Sequence, residues 1–82
     1  MPEYARTAEV AEAAGVSRQT LRAWVKRGLL PEPTLLAKGR GVWSRWPLEA
    51  VEIARFIRAQ RDKDYTLDEI AEQVRERWAA VF

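Results

Sequence analysis

"SRQTLRAWVKRGLLPEP", residues 17–33, decides the fold. Ser17 is a good helix N-cap, because its hydroxyl can accept from a backbone N–H in the first turn. From Arg18 to Arg27 the apolar residues Leu21, Trp24 and Val25 share one face, while Arg18, Gln19, Arg22 and Lys26 take the other. Gly28 closes that helix, Leu29 and Leu30 follow, and Pro31-Glu32-Pro33 cannot be helix interior. Like charges at four-residue steps repel one another. An anionic surface lying against them is one reading of the row; a plain solvated face is the other.

Upstream, Thr7 is placed to cap a first helix over about 8–14, with Val10, Ala11 and Ala14 on one side and Gly15 at its end. Two helices crossing steeply need a small residue where they touch, a turn residue tolerant of positive φ, an apolar plug and a cap. Ala11, Gly15, Val16 and Ser17 supply these in order. The spacing predicts a helix-turn-helix, in which the second helix enters a DNA major groove; an ordinary helical hairpin is the alternative. Downstream, Leu35, Leu36, Val42, Trp43 and Trp46 flank Lys38-Gly39-Arg40-Gly41, which reads as a short hairpin with a glycine-containing tip. Pro47 suits the first turn of a third helix over about 47–62, with Ala50, Ile53, Ala54 and Ile57 as its stripe and Val51 and Phe56 beside it. Thr66 and Glu69 form a capping box for a fourth helix over about 67–79, carrying Leu67, Ile70, Ala71, Val74 and Trp78 at helical spacing. The fold class is mostly α, a single winged helix-turn-helix domain over 1–82, in the order helix, helix, hairpin, helix, helix.

Composition narrows the function classes. The 82 residues hold 48% apolar and 32% charged side chains, which fits one small folded domain. Cysteine and histidine are both absent, so thiolate and imidazole chemistry is excluded within these residues. No run of 18 apolar residues exists and the first ten residues lack an apolar signal stretch, so the cytoplasm is the default location. The net charge is only +2, yet residues 18–45 hold Arg18, Arg22, Lys26, Arg27, Lys38, Arg40 and Arg45 against the single acid Glu32. Such a block points to a polyanion.

Within that block roles can be assigned. Residues near the N-terminus of a recognition helix reach base edges, where arginine pairs with guanine and glutamine with adenine. Arg18, Gln19 and Arg22 are therefore the base-reading candidates. Ser17, Thr20, Lys26 and Arg27 are placed on the DNA backbone, joined by Lys38 and Arg40 of the wing tip and Arg45 at its base. Trp24 packs either in the core, which its position favours, or against the backbone. On the third helix Arg55, Arg58 and Arg61 extend the basic face or pair with Glu52, Asp62 and the fourth helix; ion pairing is the expectation.

The stretches "TAEVAEAAGVSRQTLRAWVKRGLLP", "VWSRWPLEAVEIARFIRAQRD" and "YTLDEIAEQV" resemble the N-terminal DNA-binding domain of MerR-type transcription regulators, over about residues 4–78. The resemblance implies a winged helix-turn-helix that binds double-stranded DNA, with Arg18, Arg22, Lys38 and Arg40 in contact. It also places Trp24 where the family often has a tyrosine near a phosphate. Three departures stand out. Gly41 occupies the arginine position of the family's wing, with Arg40 one place earlier; Trp46-Pro47 replaces a polar helix start; and the sequence given stops at Phe82, where family members continue into a dimerisation helix and an effector region. No small-molecule effector and no cofactor is therefore expected of these residues. Small phage proteins of excisionase and small-terminase type share the winged fold, so an architectural or packaging role is an alternative to transcription regulation.

Other chemistries find little support. Asp62-x-Asp64-x-Thr66-x-Asp68 opens like a calcium loop, but Leu67 and Gln73 stand where glycine and glutamate are needed, and no other metal set is evident. Ser17 and Ser44 have no histidine to activate them, so an enzyme with a catalytic residue is not expected. A protein-interaction module docking an acidic partner remains a rival for the basic face. Trp78, Val81 and Phe82 either close the core or offer a homodimer or cooperative-oligomer contact.

Overall fold

The computed structural model describes residues 4–38 and 41–82, the side chains of 36–38 and 41–43 excepted. Its elements are α1 (Thr7–Ala14), α2 (Arg18–Lys26), β1 (Thr34–Lys38), β2 (Gly41–Arg45), α3 (Glu49–Asp62) and α4 (Leu67–Arg77), with a 3-10 turn at Ala79–Val81. This is the mostly helical order the sequence predicts, with an antiparallel two-stranded wing in the register Thr34↔Arg45 to Lys38↔Gly41.

The apolar stripes converge on one core. Val10 and Ala14 of α1, Leu21 and Trp24 of α2, Leu29 and Leu30 after it, Ala50, Ile53, Ala54 and Ile57 of α3, and Ile70, Ala71 and Val74 of α4 are all buried. Ala11, Val16, Val25, Val51, Phe56, Leu67 and Trp78 pack partly buried against them. The long α3 is the common partner, with α1 on one side and α4 on the other. Leu35, on β1, is 65% exposed.

One turn geometry ends three helices. At Gly15, φ is 69°, its N–H donates to Glu12 O (3.1 Å), and Val16 N–H reaches Ala11 O (3.1 Å). At Gly28, φ is 78°, and Gly28 and Leu29 donate to Val25 O and Trp24 O at 3.1 and 2.9 Å. This 6→1, 5→2 closure satisfies carbonyls that a helix end leaves free, and it requires a left-handed residue. After α3 the same pattern recurs, with Asp64 N–H on Arg61 O (2.9 Å) and Tyr65 N–H on Gln60 O (3.2 Å), but the left-handed residue is Asp64, at φ 66°.

Helix starts divide. Thr66 caps α4 as predicted: Glu69 N–H donates to its Oγ1 (3.2 Å), and Thr66 N–H donates to Glu69 Oε1 (3.1 Å). Thr7 does not cap α1. It is the first helical residue, Arg6 precedes it as the cap, and Thr7 Oγ1 accepts from Trp46 Nε1 at 3.0 Å. A buried indole N–H demands an acceptor, and Thr7 supplies it. Pro47 likewise precedes α3, which begins at Glu49, with Ala50 N–H on Pro47 O (2.9 Å).

The sequence carries no sign of a further pairing. Ala5 and Trp46 exchange both backbone hydrogen bonds, at 2.8 and 3.0 Å, so Ala5 makes an isolated antiparallel bridge to the residue that follows β2.

A left-handed aspartate is disfavoured relative to glycine by an amount on the order of 1 kcal/mol. Asp64→Gly should therefore raise unfolding stability by up to about 1 kcal/mol, less the entropy glycine loses, whereas Gly15→Ala should lower it by about 1–2 kcal/mol. Urea denaturation of both variants measures this; a destabilised Asp64→Gly would contradict the strain reading.

Candidate nucleic-acid interface

α2 starts where its cap allows. Thr20 N–H donates to Ser17 Oγ at 3.2 Å, and the two hydroxyl oxygens lie 3.1 Å apart. Leu21 and Trp24, at 0% and 3% exposure, fix which side faces inward. The opposite side then carries Arg18, Gln19, Arg22, Lys26 and Arg27, all exposed, with Thr20 half-buried at the edge. Arg18, Arg22 and Lys26 follow one another at i, i+4, so they form a continuous cationic strip. Arginine forks and an amide beside them suit an acceptor-rich groove.

The wing adds one described cation. Arg45 is exposed at the end of β2, and its guanidinium lies 4.6 Å from the centre of the Tyr4 ring. A cation held over an aromatic face loses less freedom on meeting an anion than a free one. The Lys38 side chain and Arg40, both named as wing contacts, lie outside the described residues.

Trp24 takes the core position. Its burial leaves little of the indole for a phosphate, so the backbone contact named for it gives way to packing. Arg61 of α3 holds its guanidinium 5.7 Å from the Trp24 ring centre. That contact revises the ion pairing expected for Arg61. The Arg58 guanidinium lies alongside the α1–α2 turn, where a Cβ at Gly15 would meet its Cζ at 3.4 Å. Arg75 of α4 donates from Nη2 to Arg27 O at 3.3 Å. These placements depend on contacts across the fold; only the three-residue spacing of Arg55, Arg58 and Arg61 was visible locally.

At the far end Trp78 is half-buried, edge-on to Phe56 with ring centres 5.3 Å apart and planes at 69°. The Arg77 guanidinium lies 5.3 and 5.0 Å from the Phe56 and Trp78 ring centres. Val81 is half-buried and Phe82 is 48% exposed, so this cluster is partly core and partly surface. Among the described residues no group of three or more His, Cys, Asp or Glu side chains is placed to hold a metal ion. No described helix is long and apolar enough to cross a membrane.

Comparison with known proteins agrees with this geometry. The MerR HTH family of regulatory proteins matches residues 5–76. Mercuric resistance operon regulatory proteins of Serratia marcescens and Bacillus cereus are 40% and 34% identical over 65 residues, 79% of this chain. Those residues make up 43% and 47% of the two relatives, so the chain spans about half their length. Among solved structures, the transcription regulator PbrR691 from Ralstonia metallidurans CH34, in complex with lead(II), superposes with a TM-score of 0.67 at 35% identity. The match covers 88% of this chain and 54% of that one.

Trp24→Ala should destabilise the fold by about 3–5 kcal/mol, the usual cost of emptying an aromatic core site. A chemical melt reads it; a Trp24 that served only as a surface contact would leave the midpoint where it was.

Proposed function

This chain belongs to the MerR family of helix-turn-helix regulatory proteins, and we propose that it binds double-stranded DNA sequence-selectively in transcription regulation. α2 lies in the major groove, with Arg18, Gln19 and Arg22 on base edges. Ser17, Thr20, Lys26, Arg27, Arg45 and the wing residues Lys38 and Arg40 lie along the backbone. The observation that carries this reading is the exposed strip Arg18–Gln19–Arg22–Lys26 on a helix whose other side is buried in the core. The relatives are operon regulators, which favours regulation over an excision or packaging role. Their regulatory character likewise favours a binding module over an enzyme.

A single reading helix covers few base pairs, so two copies are needed for a long operator. The partly exposed Trp78, Val81 and Phe82 are the residues we assign to that contact. Lead(II) is bound by PbrR691 in its structure. All 82 residues here lack cysteine and histidine, so a thiolate or imidazole effector site would have to be contributed by other protein. The expectation that no effector is bound thus concerns these residues alone.

Binding to random duplex at low salt is the first test. With about five phosphates neutralised, log K should fall against log salt with a slope of roughly −4 to −5; retention of an acidic protein but no duplex would favour the interaction-module alternative. Arg22→Ala should lose ~1–3 kcal/mol on the preferred site and relax preference at the positions it reads. An unchanged profile in a selection from random sequences rejects its base-reading role.

A further inference from the structure

α2 shares the core with the other helices through Leu21 and Trp24, and two arginines of the helices behind it also reach it. Arg61 lies over Trp24. Arg75, 48 residues beyond Arg27 in sequence, donates from Nη2 to the carbonyl oxygen of Arg27 at 3.3 Å. That carbonyl belongs to the residue that ends α2, where the helix dipole is negative and a cation is stabilising. The same guanidinium fills the space over Gly28: a Cβ there would lie 2.5 Å from Nη2 and 3.2 Å from Nε. Gly28 therefore does two things. Its φ of 78° closes the helix, and its missing side chain makes room for the arginine.

We propose that Arg75 is a positioning residue for sequence recognition, pinning the C-terminal end of α2 to α4 without itself touching DNA. The inference rests on the DNA reading above. α2 is anchored at its start by the Gly15–Ser17 turn and along its inner side by the buried Leu21, Trp24, Leu29 and Leu30, so loss of the Arg75 bond does not free its C-terminal end but permits a small tilt against that packing. A tilt of about 10° over a nine-residue helix moves Lys26 by roughly 2 Å and Arg22, midway, by roughly 1 Å. A phosphate contact through a long lysine absorbs such a shift. A two-bond arginine–base pair does not, since its donor–acceptor distances tolerate only a few tenths of an ångström. Arg18 and Gln19, beside the pivot, move least. Loss of Arg75 should therefore erode discrimination where Arg22 reads and spare the rest.

The experiment compares wild type, Arg75→Ala, Arg75→Lys and Arg22→Ala in selection from a random duplex library, with salt titrations on the best site and on random duplex. In Arg75→Ala, preference should fall roughly five-fold at the positions that Arg22→Ala also relaxes. Its salt slope should stay at the wild-type value, and its melting midpoint should move little, because Arg75 is exposed. Arg75→Lys, which keeps charge at the helix end but loses the fork, should fall between. If Arg75→Ala does not fold, Arg75→Lys carries the same comparison. A slope reduced by about one unit makes Arg75 a phosphate contact and overturns the proposal; so does a profile identical to wild type. A wild-type protein that selects no duplex sequence overturns the DNA reading and this inference together, whereas a selective wild type with an unchanged Arg75→Ala profile overturns this inference alone.

Discussion

The cationic strip exists because its other side is buried. α2 is nine residues long, and a helix of that length is marginal in water by itself. Its three cations add repulsion. What keeps it helical is the insertion of Leu21, Trp24, Leu29 and Leu30 into the core, each at 3% exposure or less. Burial of such side chains contributes about 1.5–3 kcal/mol apiece. The direction in which Arg18, Gln19 and Arg22 point is thus decided by apolar packing on the far side.

Arginine in this chain serves architecture as well as the exposed strip of α2. Arg58 and Arg75 lie at the closing turns of α1 and α2, where free carbonyls carry negative charge. Arg61, Arg77 and Arg45 lie over Trp24, over Phe56 with Trp78, and over Tyr4. The charge on α3 and α4 thereby serves the joints between elements, and α2 presents its own charge outward. A net charge of +2 conceals this division.

Local rules made much of this readable beforehand. Ser17 and the Thr66–Glu69 pair cap by contacts three residues apart, so spacing alone locates them. The helical stripes find the core because burial repeats with the helical period. Thr7 misled for a non-local reason: the Trp46 indole, 39 residues away, claims its hydroxyl. Asp64 hid a left-handed turn because aspartate does not announce one as glycine does. The Ala5–Trp46 pairing and the Arg75 contact with Arg27 join segments 41 and 48 residues apart, and no periodicity reports such meetings. The strip on α2 was legible as a face; the contacts that Arg61 of α3 and Arg75 of α4 make with α2 were not.

Two backbone bonds between Ala5 and Trp46 and the indole–Thr7 bond lock the entrance of α1 to the foot of the hairpin. The entrance of the helix pair and the foot of the wing are thereby joined by three hydrogen bonds, which sets their spacing. On the proposed DNA reading, a duplex that met both α2 and the wing would have to fit that span by local bending or groove width, and bases that no side chain touches would then weigh in the choice of site.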